Sequence, residues 1–346
     1  RPSRPVSSLF AYDPFVISPP LRRLLKRVSR SFYLSVRVLP SAVQGQVAIG
    51  YLLARAADSI ADTSLIPAAE RRERLATLRT AVATDGPDSQ RARAAIVAQL
   101  GTAPTGVSAG EAQLLAVLGD CFHAFDALAP GDRKLVCWVL DQLTLGMQRD
   151  LARFPQIDGG VPPAQVVALT SREDLDEYTY YAAGCVGEFW TDLMAAHLPA
   201  LAPLAQPDLR ARGVALGKAL QLVNVVRDVG DDLRGGRCYW PADLLKAHGL
   251  SPPRLAELAA GGAQGEVDQA AVRAATQELC DWSLRLCRQA WPYVVAIPPT
   301  QVRLRLACCW PLLLALDTLA ALRRVGSPLL VPGRPIKVAR GQVYQM

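Results

Sequence analysis

The sequence contains YLLARAADSIAD at positions 51–62 and QLVNVVRDVGDD at positions 221–232. Each stretch is largely apolar and carries two aspartates four positions apart, Asp58 with Asp62 and Asp228 with Asp232. On an α-helix, residues i and i+4 lie on one face, about 6 Å apart along the axis. The pattern therefore predicts two helices, each presenting a pair of carboxylates on one stripe.

Further polar residues extend both stripes. Tyr51 and Arg55 continue the first at helical spacing, and Gln221 and Asn224 continue the second. A solvated acidic face would explain one such pair, but a surface pair normally has polar neighbours, and these stretches lack them. Buried carboxylates cost free energy unless they are paired or bind a metal. Two such stripes therefore favour a shared set of cations.

The composition describes a globular protein with a large core. The chain has 346 residues, is 51% hydrophobic and has a net charge of +7 that is spread along the sequence, so nucleic acid is not an expected partner. Its eight cysteines form no C-x-x-C motif and its three histidines have no zinc spacing, which is typical of a reduced, cytoplasmic protein. The apolar run 306–322 is interrupted by Pro311 and Asp317 and predicts a buried core helix rather than a membrane span.

Prolines divide the chain into segments with helical periodicity. These segments are 41–62, 68–84, 111–128, 131–152, 171–198, 208–234, 266–291 and 300–324. Because no segment alternates as a strand, we predict an all-α, single-domain helical bundle over residues 21–346, preceded by a tail over residues 1–20. Ser41 and Ser171 are the expected N-caps of two helices.

The aspartates point to a particular chemistry. Oxygen ligation without histidine suits Mg²⁺, which keeps several waters and bridges to substrate phosphates. Arg30, Arg55 and Arg227 lie close to these stretches in sequence and would support a diphosphate. An apolar cavity beside such a clamp suits ionisation of an allylic diphosphate, since the metal stabilises the leaving group and dry walls protect a carbocation.

The segment 174–188 contributes two further features. Gly184 and Gly187 each cost about 1 kcal/mol in a helix relative to alanine, so they indicate close helix packing or room for a ligand. Tyr178 and Tyr181 lie one turn apart on one face, where they are either core residues or part of a site.

Four ordered motifs resemble one known family. SRSF at 29–32, the 51–62 stretch, YTYYAAGCVG at 178–187 and NVVRDVGDD at 224–232 are similar to the signatures of the squalene and phytoene synthases, in the same order. The resemblance spans about residues 20–345. One departure is Ala61, where many relatives carry Glu.

The resemblance implies the all-α isoprenoid synthase fold with a central apolar cavity. It also implies head-to-head coupling of two prenyl diphosphates. By motif position, the two aspartate pairs would bind Mg²⁺ and act in catalysis, and Tyr178 would handle the proton chemistry. The residues that would bind substrate are Arg30, Phe32, Tyr51, Arg55, Gln221, Asn224 and Arg227.

Two segments favour the squalene synthases within the family. LRGGRCYWP at 233–241 resembles their bacterial members, and IKVARGQV at 336–343 resembles a basic tail segment linked to NADPH, which gives Lys337 and Arg340 a cofactor role. The expected reaction joins two farnesyl diphosphates through presqualene diphosphate and reduces the product to squalene. The alternatives are a non-reductive relative that makes phytoene, dehydrosqualene or presqualene diphosphate, and an inactive assembly partner. We expect a monomer that is soluble or peripherally membrane-associated, with a membrane contact serving product release.

Overall fold

A computed structural model describes residues 17–29, 32–63, 66–83, 86–100, 108–154, 163–262, 265–331 and 336. Its helices are α1 (Pro19–Val28), α2 (Phe32–Val38), α3 (Ser41–Asp62), α4 (Ala68–Ala83), α5 (Pro87–Leu100), α6 (Ala109–Ala116), α7 (Leu118–Asp126), α8 (Pro130–Arg153), α9 (Arg172–Thr179), α10 (Cys185–His197), α11 (Pro207–Arg227), α12 (Val229–Arg234), α13 (Ala242–Ala247), α14 (Pro252–Ala259), α15 (Glu266–Ala296) and α16 (Val302–Val325).

The remaining elements are short. A π-helical turn, Tyr180–Gly184, joins α9 to α10, and 3₁₀ turns cover Pro163–Gln165, Pro199–Ala205 and Pro328–Leu330. Strands β1 (Val167–Ala168) and β2 (Arg237–Cys238) form a two-residue parallel bridge. The predicted all-α class is confirmed, and this bridge is an addition that the sequence pattern did not indicate.

Most predicted helices appear close to the expected bounds, but three of them are divided, and in 171–198 the division is the π-helical turn between α9 and α10. The segment 111–128 breaks at Val117, and the segment 208–234 breaks at Asp228, where φ is −97° and ψ is 8°. The predicted tail over 1–20 lies mostly outside the described residues, although Pro19 and Pro20 already belong to α1.

One predicted N-cap is confirmed and the other is wrong. The Ser171 hydroxyl accepts a hydrogen bond from the Asp174 N–H at 3.3 Å, and the Asp174 carboxylate accepts one from the Ser171 N–H at 3.2 Å. Ser41 is instead the first residue of α3, and the capping position before it is Pro40, which has no side-chain hydrogen bond to offer.

Glycines allow three helical segments to approach closely. A Cβ on Gly187 would lie 2.1 Å from the Gly213 carbonyl oxygen, and a Cβ on Gly217 would lie 2.1 Å from the Ala183 carbonyl oxygen. No side chain fits at such a separation, so α10 and the π-helical turn pack directly against the backbone of α11. Of the two roles that the sequence left open for Gly187, close packing is the observed one.

Helix α11 packs antiparallel to α15. The Ser283 hydroxyl donates to the Ala219 carbonyl at 3.3 Å, while Tyr293, further along α15, lies beside Gly213, earlier in α11. Asp228 therefore marks one end of this pair, and the turn between α15 and α16 lies at the other end. From Gly213 to Asp228 the helix rises about 22 Å.

Helix α16 covers the run that the sequence assigned to the core. It packs against α15, α11 and α2, and its buried residues include Leu304, Leu312 and Leu319. Among the described helices it is also the one that is long and apolar enough to cross a membrane, by length and composition alone.

Candidate active site

The two aspartate pairs face a common cavity of about 600 Å³. Helices α3, α8, α11 and α12, the segment that joins α9 to α10, and strand β2 surround it. Its lining includes six carboxylates and four guanidinium groups: Asp58, Asp62, Asp150, Glu177, Asp228 and Asp232, with Arg55, Arg149, Arg153 and Arg237. Acidic side chains therefore outnumber basic ones around the cavity.

The first pair lies in the last two turns of α3. Arg55 lies 3.3 Å from Asp58 and also pairs with Glu111 of α6, so part of its charge is used outside the cavity. Burial, and next the neighbouring Asp62 carboxylate, raise the pKa of Asp58 to about 6. Burial likewise raises the pKa of Asp62. The Asp58 side chain is 41% exposed, so it faces the cavity rather than the packed core.

The second pair lies where α11 ends. The Asp228 N–H donates to the Asn224 carbonyl at 2.8 Å and the Asp232 N–H donates to the Asp228 carbonyl at 3.1 Å, so the one-turn spacing survives the break in the helix. The Arg227 guanidinium holds the Asp228 carboxylate through two hydrogen bonds of 2.7 and 2.6 Å. Burial, partly opposed by Arg237, raises the pKa of Asp232 to about 7, and the Asp228 charge adds to the rise.

Arg237 brings a buried cation to these carboxylates. The short bridge fixes its backbone, since the Val167 N–H donates to the Gly236 carbonyl at 3.2 Å immediately before it. Burial alone would lower the pKa of Arg237, but Tyr239 and the carboxylates of both pairs outweigh it and raise that pKa. One arginine thus faces both aspartate pairs.

Tyr178 belongs to a connected polar group in the cavity wall. Its hydroxyl accepts a hydrogen bond from the Gln221 amide at 2.9 Å, and its ring stacks on Tyr239 with centroids 4.2 Å apart. The Tyr239 hydroxyl donates to the Asp150 carboxylate at 2.8 Å. Burial raises the pKa of Tyr178 above its usual range and raises that of Asp150 to about 6. Tyr178 is therefore a neutral phenol at neutral pH.

Several residues that were predicted to bind substrate lie elsewhere. Phe32 and Tyr51 stack on each other with centroids 4.8 Å apart, and the Tyr51 hydroxyl donates to the Val28 carbonyl, away from the cavity lining. Arg227 supports Asp228 from outside that lining, whereas Arg55, Gln221 and Asn224 contribute to it. Their substrate roles stay predictions. Arg30, Lys337 and Arg340 fall outside the described residues.

Sequence reasoning missed four residues of the site and its support. Glu111, Asp150, Arg237 and Tyr239 come from α6, α8 and the segment after α12. Asp150 and Tyr239 lie in no helical stripe that repeats the aspartate pattern, so long-range packing alone brings them to the cavity. Arg237 had one usable signal, because it stands in the 233–241 stretch that already resembled the family.

The donor set suits a metal that takes few protein ligands. Within the described residues, no three His, Cys, Asp or Glu side chains converge closely enough to hold an ion by themselves. Each aspartate pair offers oxygen ligands, and the remaining positions would fall to water and ligand oxygens, the arrangement that Mg²⁺ accepts. The raised pKa values of Asp58 and Asp232 fit this role, because a cation would relieve the charge that burial penalises.

A family model described as squalene/phytoene synthase matches residues 25–342. The chain belongs to the squalene/phytoene synthase family. The matched residues include both aspartate stretches and the tyrosine-containing segment between them. The resemblance drawn from the motifs is thereby confirmed.

Relatives in the family carry both names. A phytoene synthase from Thermus thermophilus is 40% identical over 119 residues, which cover 34% of this chain and 36% of the relative. A squalene synthase from Schizosaccharomyces pombe is 25% identical over 225 residues, 64% of this chain and 44% of the relative. A Rhodobacter capsulatus phytoene synthase is 27% identical over 231 residues, 67% and 54% of the two chains. The matches thus span about a third to a half of these relatives.

Solved structures share the fold. The complex of TcSQS with the ligand BPH1237 superposes with a TM-score of 0.73 at 19% identity, covering 94% of this chain and 83% of that one. A dehydrosqualene synthase in complex with a ligand gives a TM-score of 0.61 at 22% identity, covering 94% and 92%. At these identities the likeness establishes the architecture.

The raised pKa of Asp232 predicts how stability depends on pH without metal or substrate. The native state holds this proton more tightly than the unfolded chain does, so its stabilising effect is complete below about pH 4 and is lost as pH rises through about 7. Asp232→Asn removes the charge. We expect the variant to exceed the wild type in unfolding free energy by about 1–2 kcal/mol at pH 8 and to match it near pH 4.

Urea unfolding at both pH values measures this difference. Asp231→Asn is the matched control, because Asp231 is the adjacent residue and its side chain is 79% exposed. The control should stay within about 0.5 kcal/mol of the wild type at either pH. A gain for Asp232→Asn that is the same at both pH values would contradict the assignment.

Proposed function

We propose that this family member is a squalene synthase that couples two farnesyl diphosphates head to head, forms presqualene diphosphate and reduces it to squalene with NADPH. The observation that carries the proposal is the single cavity shared by both aspartate pairs. Besides the charged residues, its walls include Leu143, Met147 and Val225. Such a cavity suits a substrate with an anionic head and a hydrocarbon tail.

The carboxylates would hold the diphosphate through cations. Mg²⁺, when bound, would neutralise the leaving diphosphate and so assist ionisation at C1. Asp58 and Asp62 would provide ligands for Mg²⁺ from one side of the cavity, and Asp228 and Asp232 would provide them from the other. Arg227 keeps the Asp228 carboxylate in a fixed orientation through its two hydrogen bonds. The apolar wall would keep water from the resulting carbocation.

The tyrosine group supplies a route for the proton lost when the cyclopropane ring closes. Because Tyr178 is a neutral phenol, it can accept a proton only if it passes its own onward. Tyr239 stacks on it, has its hydroxyl near enough to interact with the Tyr178 hydroxyl, and already donates to Asp150. The substrate proton would move to the Tyr178 oxygen, the Tyr178 proton to Tyr239, and the Tyr239 proton to the Asp150 carboxylate. With a pKa of about 6, Asp150 is ionised and ready to accept it at neutral pH.

The reductive step separates this proposal from its main alternative. NADPH would supply a hydride to the second carbocation, and its predicted contacts, Lys337 and Arg340, lie outside the described residues. Several relatives are named phytoene synthases, which favours a non-reductive coupling as the second candidate. Both candidates share the first half-reaction and the same cavity.

The purified chain with farnesyl diphosphate and Mg²⁺ tests the proposal. We expect squalene when NADPH is present and presqualene diphosphate when it is withheld, both measured by chromatography. Products that do not change with NADPH, or turnover confined to geranylgeranyl diphosphate, would support the non-reductive candidate. Asp58→Asn should abolish turnover while the circular dichroism spectrum stays unchanged. Failure of the wild type to release diphosphate from either substrate would favour the inactive assembly partner.

The proton route makes a separate prediction for the first half-reaction. Tyr178→Phe, Tyr239→Phe and Asp150→Asn should each slow cyclopropane formation by about 10²–10⁴-fold, the usual contribution of a general acid–base group. At saturating Mg²⁺, which would keep the aspartate pairs ionised, the wild-type rate should fall as pH drops through about 6, because Asp150 becomes protonated. Asp150→Asn should lose this dependence.

Tyr180→Phe is the control for the tyrosine variants. Tyr180 neighbours the site in sequence, but its hydroxyl donates to Glu188 at 2.9 Å, outside the cavity. It should retain the wild-type rate. A wild-type rate for Tyr239→Phe together with a slow Tyr178→Phe would remove Tyr239 from the route and leave Tyr178 acting alone.

A further inference from the structure

An exposed apolar surface lies at the end of the bundle opposite the carboxylates. Seven large apolar side chains are exposed on the described residues, and four of them flank the turn between α15 and α16. These four are Trp291, Val295, Val302 and Leu306, with exposures of 45%, 55%, 58% and 36%. We call this surface the hairpin tip. Large apolar side chains grouped on a surface mark an interaction site rather than ordinary scatter.

The hairpin tip is held in a defined shape. Trp291 and Val295 are one turn apart on α15, and Val302 and Leu306 are one turn apart on α16, so each helix contributes one short apolar stripe. The Arg305 guanidinium donates to the carbonyls of Val295 and Ile297 at 2.6–3.0 Å. These bonds tie the start of α16 to the end of α15 and fix the turn between them.

Along the sequence of the hairpin itself the charge has one sign, and the exposed Asp208 at the same end of α11 is paired with Arg212. From Trp282 to Leu316 the sequence contains four arginines and neither Asp nor Glu. Two of these arginines, Arg288 and Arg303, are exposed beside the apolar residues. Of the three tryptophans in the same stretch, Trp291 is the exposed one. Tryptophan and arginine are the residues that settle at a membrane interface, the first with its ring and the second through attraction to anionic headgroups.

We infer that the hairpin tip docks onto an anionic membrane surface. The apolar stripes would enter the boundary between headgroups and acyl chains, while Arg288 and Arg303 would contact lipid phosphates. Because α11 and α15 are antiparallel, Asp228 and the other cavity carboxylates would lie at the end of the helix pair away from the bilayer. This inference does not depend on which prenyl product is made.

Co-sedimentation of the full chain with vesicles tests the inference. We expect binding to vesicles of phosphatidylcholine mixed with phosphatidylglycerol, little binding to phosphatidylcholine alone, and weaker binding as NaCl is added. Arg288→Gln with Arg303→Gln should weaken binding by roughly fivefold per arginine, or about 1 kcal/mol each. Trp291→Ser with Val295→Ser should weaken it by about tenfold or more, since each loses buried apolar area.

Matched controls separate the tip from general charge and hydrophobicity. Val267→Ser alters an 84% exposed residue at the far end of α15, and Arg23→Gln with Arg91→Gln removes the same charge from helices α1 and α5. Each control should bind vesicles within about twofold of the wild type. The arginine control also measures the loss of affinity that a lower overall charge causes by itself. Thermal melts should show that all variants are folded.

Three outcomes would overturn the inference. One is a loss of affinity in the tip variants that is no larger than the loss in their controls. Another is binding that survives both high salt and alkaline carbonate, which would indicate an inserted helix instead of a docked surface. The third is self-association of the wild type that Trp291→Ser with Val295→Ser abolishes, without vesicle binding, which would make the tip an interface between copies of this chain.

Discussion

Carboxylates that share one cavity repel each other and lose part of their hydration, and this free-energy cost is the constraint on which the site depends. Asp58, Asp62 and Asp232 all have raised pKa values for which burial is the first cause. The arginines nearby offset the cost only in part, because Arg55 also serves Glu111 and Arg227 holds Asp228. The site is therefore held in an arrangement that additional cations would stabilise.

The rest of the fold keeps these groups in place against that repulsion. Close backbone packing at Gly187 and Gly217 holds α10 and the π-helical turn, which follow Tyr178 in the chain, against α11, which carries Gln221 and ends just before Asp228. The two-residue strand bridge anchors Arg237 between the pairs. These contacts join segments that are distant in sequence. They hold the charged side chains in fixed positions and so keep the cavity open.

The part of the site that local spacing governs was predictable. The i, i+4 rule placed Asp58 over Asp62, and α3 has the bounds that its apolar pattern and flanking prolines indicated. The spacing of Asp228 and Asp232 also holds, although the helix breaks at Asp228, whose carboxylate accepts a hydrogen bond from Arg227. Periodicity indicates which residues share a face, but it carries no information on where a helix breaks.

What the sequence could not predict depends on packing between remote segments. Asp150 reaches Tyr239 across 89 positions, and no local pattern links the two residues. The stacking of Phe32 on Tyr51 is a second packing contact that motif position did not indicate, and their substrate roles stay predictions. The polarity of the whole bundle, with carboxylates at one end and an apolar, arginine-flanked turn at the other, likewise emerges only when α11 and α15 are seen to run antiparallel.

We propose that the carboxylates of this cavity bind divalent cations and a diphosphate together. A thermal melt of the wild type with MgCl₂, with inorganic diphosphate and with both tests it most directly, since a ligand that binds only the native state raises the melting temperature. We expect a rise with both that exceeds the sum of the separate effects, and we expect a variant carrying Asp58→Asn and Asp228→Asn to lose it. An equal rise with diphosphate alone, or a rise that survives in that variant, would contradict it.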